Sequence, residues 1–358
     1  MKHSMQRFPA LAAHVLGAAL TVAIVLAPAA RAAEPHYHLA HEVPLPGDEG
    51  WDYLTFEQGG HRLFIAHGTR VLVVDTDALK VVGEVADTPG VHGVALAPDL
   101  NKGYVSAGRA NMIVVFDLKT LARLKEIKTT GDNPDAILYD APSKRVLSFN
   151  GRGRNVTVVD AATDTVVGTI AVDAKPEFAV SNGKGGVYVN LEDRNSVASL
   201  DPKALKVSAV WPIAGCEEPS GLAIDAAHAR LFPACGNKIM AVVDAASGKG
   251  LGSAPIGEGV DAAAFDPGTA LAFASCGEGV LTVLRTDHNG RPEVAQSVTT
   301  QRGARTMALD LATHRVYSVT ANFGPPPPAT AEHPHPRGQQ LPGTFRLLVL
   351  EPQASSSP

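Results

Sequence analysis

A unit of about 42 residues recurs along this chain, and its regular copies contain a short apolar segment that ends in an acid. In five copies the successive acids are 42, 43, 41 and 43 residues apart. Two degenerate copies follow, which makes seven units. Repeats of this length made of short strands are typical of propeller blades, so the sequence predicts an all-β fold, a seven-bladed β-propeller of the YVTN/WD40-like kind with four-stranded blades. The seven copies end at Asp75, Asp117, Asp160, Asp201, Asp244, Arg285 and Glu351.

The last repeat supplies only three strands, at 305–311, 315–321 and 345–351. The segment 37–45, at the start of the repeat region, can supply the fourth. Pairing the beginning of the chain with its end hides strand edges that an open ring would leave unpaired. We therefore expect residues 34–358 to form a single domain closed by its N-terminal strand, with a proline-rich insertion at 321–344 in the last blade.

Residues 1–33 have the pattern of a removable secretory signal. Lys2 and Arg7 precede an apolar run at 11–29, and small residues follow up to Ala32. A membrane anchor is the alternative, but Pro28 interrupts the run, and the small residues favour cleavage. We expect a periplasmic or secreted protein, with no membrane span after cleavage.

Loss of residues 1–33 would remove three positive charges and no acids. The formal net charge would then change from −5 to −8. A surface that binds nucleic acid is usually basic, so this balance argues against a nucleic-acid partner.

One polar or charged residue begins the innermost strand of each predicted blade. Equivalent positions on successive innermost strands surround the central channel, so these side chains should encircle one mouth of it. Crowded acids repel one another unless a cation compensates them, and such strain is frequent at functional sites. The simpler alternative is a solvated tunnel that has polar walls and no ligand. The seven residues, which we call the mouth ring, are Asp52, His92, Asp135, Glu177, Ser220, Asp261 and Arg305.

A second set of residues lies fifteen positions after the mouth ring, at the end of each second strand. Neighbouring strands are antiparallel, so both sets should border the same face, and we include His67, Asn150 and Glu192 among the candidate ligand-binding residues. The full set is His67, Ala107, Asn150, Glu192, Cys235, Cys276 and Thr320.

Three cysteines in an exported chain cannot all pair. Cys216 and Cys235 fall near the same face of the fifth blade, so a Cys216–Cys235 disulfide with Cys276 as an isolated thiol is the favoured interpretation. The alternative is a soft-metal site of Cys235 and Cys276 with His67 or His92, because thiolate and imidazole suit copper(I) or zinc.

The insertion at 321–344 should open onto the same face as the mouth ring. Its prolines at 325–328 favour an extended, stiff path. It is either a lid that carries His333 and His335 over the mouth or a decoration without a role in binding.

The mature chain resembles the bacterial YncE-like family of exported YVTN β-propellers over nearly all of its length. The resemblance implies a seven-bladed propeller and export, and it implies no particular reaction. Cys276 departs from the pattern, because asparagine is expected there. The phrases that carry the resemblance begin at Gly50, Gly90, Asn133, Asn150, Lys175, Glu218, Gly257 and Ala304, and the segments 187–190 and 316–320 resemble the Tyr-Val-Thr-Asn signature.

The favoured function is a non-enzymatic binding or scaffolding protein whose acidic mouth holds a cation or a small polar ligand. One alternative is a lactonase-like hydrolase, in which the carboxylates hold a divalent metal and His92 or His67 moves protons. Another is a platform that docks a protein partner. No sequence motif indicates a cofactor, and the only candidate is a divalent metal ion held by the carboxylates.

Overall fold

The computed structural model of the chain describes residues 35–328 and 338–353, together with Met1. Within these residues, 28 strands form seven four-stranded antiparallel sheets. Each innermost strand contacts the innermost strand of the next sheet, and the last contacts the first. The sheets thus form a closed ring, and the predicted seven-bladed β-propeller is confirmed. The signal at 1–33 lies outside the described residues apart from Met1 and stays a prediction.

The chain begins with one strand that belongs to the last blade and then builds the first three blades in order. This strand is β1 His36–Pro44. Blade 1 contains β2 Trp51–Glu57, β3 Arg62–His67, β4 Arg70–Asp75 and β5 Lys80–Val85. Blade 2 contains β6 Val91–Ala97, β7 Lys102–Ala107, β8 Met112–Asp117 and β9 Arg123–Lys128. Blade 3 contains β10 Pro134–Asp140, β11 Arg145–Asn150, β12 Asn155–Asp160 and β13 Thr165–Ala171.

The remaining blades follow the same pattern. Blade 4 contains β14 Pro176–Ser181, β15 Val187–Leu191, β16 Ser196–Asp201 and β17 Lys206–Pro212. Blade 5 contains β18 Pro219–Asp225, β19 Arg230–Cys235, β20 Ile239–Asp244 and β21 Gly250–Pro255. Blade 6 contains β22 Val260–Asp266, β23 Leu271–Cys276, β24 Val280–Thr286 and β25 Pro292–Thr299. Blade 7 contains β26 Met307–Leu309, β27 Val316–Thr320 and β28 Arg346–Gln353, with β1.

Helix is confined, in the described part of the chain, to three short 3₁₀ turns at Pro98–Leu100, Gly108–Ala110 and Glu192–Arg194. None of them has the length and apolar character that a membrane crossing requires. Two of these turns, Gly108–Ala110 and Glu192–Arg194, directly follow a second strand, and an asparagine in left-handed conformation ends each turn.

Packing between blades explains the strand sequences. The two middle strands of each blade are covered on both faces, so they read as continuous apolar runs, such as 71–74 in β4. Outermost strands such as β5 are largely exposed and carry polar residues. Aromatic rings join neighbouring blades: Phe56 of blade 1 stacks on Tyr317 of blade 7 at 5.7 Å, and Phe232 of blade 5 stacks on Phe265 of blade 6 at 5.3 Å.

The N-terminal strand closes the ring as expected. β1 pairs antiparallel with β28 from His36 opposite Gln353 to Pro44 opposite Arg346. The buried Tyr37 also fastens this strand to blade 6, because its amide donates to Gln296 at 2.8 Å and its ring meets Phe273 edge-on at 5.1 Å. The last blade therefore depends on the start of the chain.

Candidate functional site at the channel mouth

The innermost strands of blades 1 to 6 pair irregularly with their second strands near the start. In blade 1 the register is broken between Trp51 and Leu54, and the other five blades have the same irregularity. A β-bulge of this kind releases a residue from regular pairing and re-aims its side chain. Each irregular stretch contains one mouth-ring residue, namely Asp52, His92, Asp135, Glu177, Ser220 or Asp261.

Three of these residues, from blades 1, 2 and 3, converge. The Nδ1 atom of His92 lies 2.6 Å from Oδ2 of Asp52 and 3.6 Å from Oδ1 of Asp135. One potential ligand atom of each residue lies within 4.8 Å of the other two. Two carboxylates and an imidazole at this spacing are a donor set that suits divalent transition metals. We call these three residues the Asp–His–Asp cluster.

Glu177 extends the acidic region into blade 4. Its Oε1 accepts a hydrogen bond from the Tyr53 hydroxyl at 3.3 Å, and its Oε2 lies 3.3 Å from Nζ of Lys175. Tyr53 belongs to blade 1, so this hydrogen bond joins blades that are not neighbours in the ring. Lys175 also pairs with Glu192, so one ammonium group joins Glu192 to Glu177.

On the remaining side of the mouth ring, Arg305 forms hydrogen bonds to neighbouring blades. Its Nε donates to Oδ2 of Asp261 at 2.7 Å, and its Nη2 donates to the carbonyl oxygen of Trp51 at 3.2 Å. Ser220 donates to the other oxygen of Asp261 at 3.0 Å. Asp261 is therefore satisfied by two donors, whereas the acids of the opposite side have fewer compensating charges.

Burial and mutual repulsion raise the pKa of the acids on that side. The pKa of Asp135 is raised to about 6, mainly because the carboxyl group is buried, with a contribution from Asp52. The pKa of Glu177 is raised to about 8, again by burial first and then by Asp135. Burial opposes a charge on His92, but its hydrogen bond with Asp52 and the nearby carboxylates outweigh that effect and raise the pKa of this imidazole. The mouth is thus a place where an added cation would be stabilised.

Two candidates at the ends of the second strands, His67 and Asn150, do not present their side chains to solvent. His67 and Asn150 are both fully buried, since a second strand is covered by the adjoining blades. The His67 ring packs against Phe345 at 4.4 Å, and burial lowers the pKa of His67 to about 4. Asn150 donates to Asn155 and Thr157 within its own blade. A ligand-binding role for His67 and Asn150 stays a prediction, and both side chains already have neighbours within the protein.

The cysteines form one disulfide, between Cys216 and Cys235. Cys235 therefore offers no thiolate, which removes the soft-metal site made with Cys276. Cys276 is a buried free thiol, and burial raises its pKa to about 12.

Both described ends of the insertion at 321–344 lie near the mouth. The Phe323 ring is 6.0 Å from that of Trp51, and the Gly343 amide donates to Asp48 at 2.6 Å. His333 and His335 lie outside the described residues, so the lid and the decoration both stay hypotheses.

The structure also reveals residues that the sequence analysis missed. A cavity of about 700 Å³ opens beside Asp52 and His92, and Arg109 and Arg152 line it. Both arginines occur seventeen residues after a mouth-ring residue, in the loops that follow second strands, and both are exposed. The repeat could have disclosed them, because the same offset selects Thr69, Arg109, Arg152, Arg194, Asn237, Glu278 and Asn322, which are all exposed.

Comparison with known proteins relates the chain to two curated sequences. It is 32% identical over 112 residues to the uncharacterized protein YncE of Salmonella typhimurium, and the same figures hold for YncE of Salmonella typhi. Each match covers 31% of this chain and 29% of the relative. No family model matches the chain. Together with the seven blades, these matches support a YncE-like propeller protein.

Solved structures share the fold. The WD40 repeats of RRP9 superimpose with a TM-score of 0.74 at 9% identity, over 90% of this chain and 100% of that one. Kuenenia stuttgartiensis hydrazine synthase gives a TM-score of 0.67 at 19% identity, over 76% of this chain and 94% of that one. At these identities the likeness concerns architecture alone.

Proposed function

We propose that this seven-bladed propeller, which is similar to YncE over 112 residues, is an exported binding protein whose channel mouth holds a divalent metal ion. The propeller fold supports a binding or scaffolding role. The observation that carries the finer proposal is the convergence of Asp52, His92 and Asp135, whose ligand atoms lie within 4.8 Å of one another. The residues that would hold the ion come from three consecutive blades, so binding would depend on the assembled ring.

Electrostatics support a cation at this position. Burial raises the pKa of Asp52 and Asp135, which means that their ionised forms are poorly compensated by the protein. Arg305 donates its Nε hydrogen bond to Asp261 and not to the Asp–His–Asp cluster. A divalent ion would supply the missing positive charge and would displace protons from the cluster.

The test is equilibration of the full chain with Mn²⁺ or Zn²⁺, removal of unbound metal, and elemental mass spectrometry. We expect about one ion per chain, and we expect the Asp52→Asn/Asp135→Asn double variant to lose it. Ser220→Ala is the matched control, because it alters a mouth-ring residue outside the cluster. Equal retention by the double variant, or no metal on the wild type, would refute the proposal.

Export rests on the sequence of residues 1–33 and on the disulfide, which suits an oxidising compartment. Expression of the full chain in a bacterial host with an outer membrane, followed by fractionation and N-terminal sequencing, tests it. A periplasmic product that begins at Glu34 is expected. An uncleaved cytoplasmic product would contradict export.

Glu177 favours a second candidate, a metal-dependent hydrolase. Its pKa of about 8 would keep this carboxyl group protonated at neutral pH, as a general acid requires, and it couples electrostatically to Asp135 of the cluster. Turnover of a lactone or ester panel by the Mn²⁺-loaded chain, abolished by Glu177→Gln, would establish this candidate. Metal binding without turnover would reject the hydrolase and support the binding protein.

A further inference from the structure

The cavity beside the Asp–His–Asp cluster has the properties of a small-molecule site. Its volume of about 700 Å³ lies within the range of ligand pockets in proteins. Its lining includes Gly50, Gly68, Gly90 and Gly108, and at the last three an added Cβ would lie less than 3.0 Å from a neighbouring atom. A Cβ on Gly108, for example, would lie 2.7 Å from the His92 ring.

The two arginines that line this cavity have side chains without a partner among the described residues. The lining contains two acids, and both have partners: Asp52 is hydrogen-bonded to His92 at 2.6 Å, and Asp132 accepts from Asn111 at 3.0 Å. The side chains of Arg109 and Arg152 form no hydrogen bond or ion pair within the described residues, although the Arg109 backbone amide donates to the Pro89 carbonyl oxygen at 3.2 Å. Two guanidinium groups on adjacent blades thus face one space without a bound carboxylate.

The position of Arg109 is set by the backbone. Its Cγ packs so closely over Gly90 that a Cβ there would lie 2.5 Å away, and Gly90 has a left-handed φ of +64°. Arg109 lies in the 3₁₀ turn Gly108–Ala110, which ends at Asn111. Asn111 in turn accepts a hydrogen bond from the Asn133 amide of the next blade at 2.8 Å. The stem of Arg109 is therefore anchored while its head group stays accessible.

We propose that this cavity binds a small oxyanion-bearing molecule, a carboxylate or a phosphate, through Arg109 and Arg152. Guanidinium groups bind both oxyanions through paired, charge-assisted hydrogen bonds. The inference rests on the proposed function in one respect, that the mouth is where a ligand binds. It extends that function by naming the chemical class of the ligand, which would lie next to the metal ion.

The test is calorimetric titration of the full chain with succinate and, separately, with inorganic phosphate. We expect measurable binding of at least one, and the stronger of the two identifies the source of the oxyanion. Arg109→Gln and Arg152→Gln should each weaken it at least about tenfold. Arg194→Gln is the matched control, since this exposed arginine occupies the equivalent loop of blade 4 but does not line the cavity, and it should change affinity less than about twofold.

Mn²⁺ titrated alone into the same variants separates this inference from the proposed function. Arginine-dependent succinate or phosphate binding by a chain that binds no Mn²⁺ would support the anion site and refute the metal ion. Mn²⁺ binding without affinity for either anion would refute the anion site alone. Equal losses in all three arginine variants would also refute it, because they would indicate a general effect of surface charge.

Discussion

The Nδ1 atom of His92 lies 2.6 Å from Oδ2 of Asp52, and the opposite edge of the same ring rests on Gly108. A Cβ at residue 108 would lie 2.7 Å from both Cδ2 and Nε2 of His92, and 3.2 Å from the Pro134 carbonyl oxygen. The imidazole is thus fixed between a carboxylate on one blade and a glycine on its own.

This contact predicts that Gly108→Ala displaces His92 and weakens Mn²⁺ binding at least about tenfold. Gly50→Ala is the control, since it alters a glycine of the same cavity whose added Cβ would have no neighbour within 4 Å. Calorimetric titration compares the two. Equal affinities would show that the orientation of His92 does not matter for binding.

We expect that replacing the Glu177 carboxyl group by a neutral amide stabilises the fold at high pH. The pKa of Glu177 rises from 4.5 in the unfolded chain to about 8 in the fold, so ionisation costs stability as pH rises through that interval. Glu177→Gln should therefore raise the free energy of unfolding of the metal-free chain by at least about 1 kcal/mol at pH 8.5. Below pH 4 the carboxyl group is neutral in both states, and the variant should differ little from the wild type.

Glu192→Gln serves as the control for that measurement. Both carboxylates contact Lys175, but Glu192 is more exposed, so its neutralisation should give no comparable gain. Denaturant titrations at both pH values measure the difference. A Glu177→Gln variant that is less stable than the wild type at pH 8.5 would mean that the pairing with Lys175 outweighs burial.

The contacts of Tyr37 indicate how much the N-terminal strand contributes to the stability of the ring. The buried Tyr37 side chain contacts Phe273, so Tyr37→Ala should destabilise the fold by about 3 kcal/mol. His38→Ala, at an exposed position of the same strand, should cost less than about 0.5 kcal/mol. Deletion of residues 34–46 should lower the stability of the whole ring. An unchanged melting curve of the deletion variant would contradict closure by β1.

The states of the three cysteines predict how many react with iodoacetamide in the native, denatured and reduced chain. Cys276 is buried and its pKa is about 12, so the native chain should not react with iodoacetamide. The denatured chain should react once, at Cys276, and the denatured and reduced chain three times. Mass spectrometry of the intact protein counts the additions. Three additions without reductant would show that Cys216 and Cys235 are not bonded.

The blade count and the proximity of Asp52, His92 and Asp135 could be predicted from the sequence because both follow from one period. Residues about 42 positions apart occupy equivalent places in successive blades, so Asp52, His92 and Asp135 had to converge once the ring closed. Alternation along a strand, in contrast, did not reveal how deeply a second strand is covered by its neighbours. The full burial of His67 could not be predicted for that reason.

Contacts across the ring could not be read from the period. The hydrogen bond between Tyr53 and Glu177 joins blades 1 and 4, and no spacing along the chain indicates it. Arg109 and Arg152 were missed although they follow the repeat, because they lie in loops, beyond the strand pattern that guided the choice of residues.

The most direct test of the central claim is anomalous X-ray diffraction from crystals of the full chain grown with Mn²⁺. We predict one strong peak within bonding distance of Asp52, His92 and Asp135, and no such peak for the Asp52→Asn/Asp135→Asn variant. A peak elsewhere on the chain, or none in wild-type crystals, would contradict a metal-binding mouth.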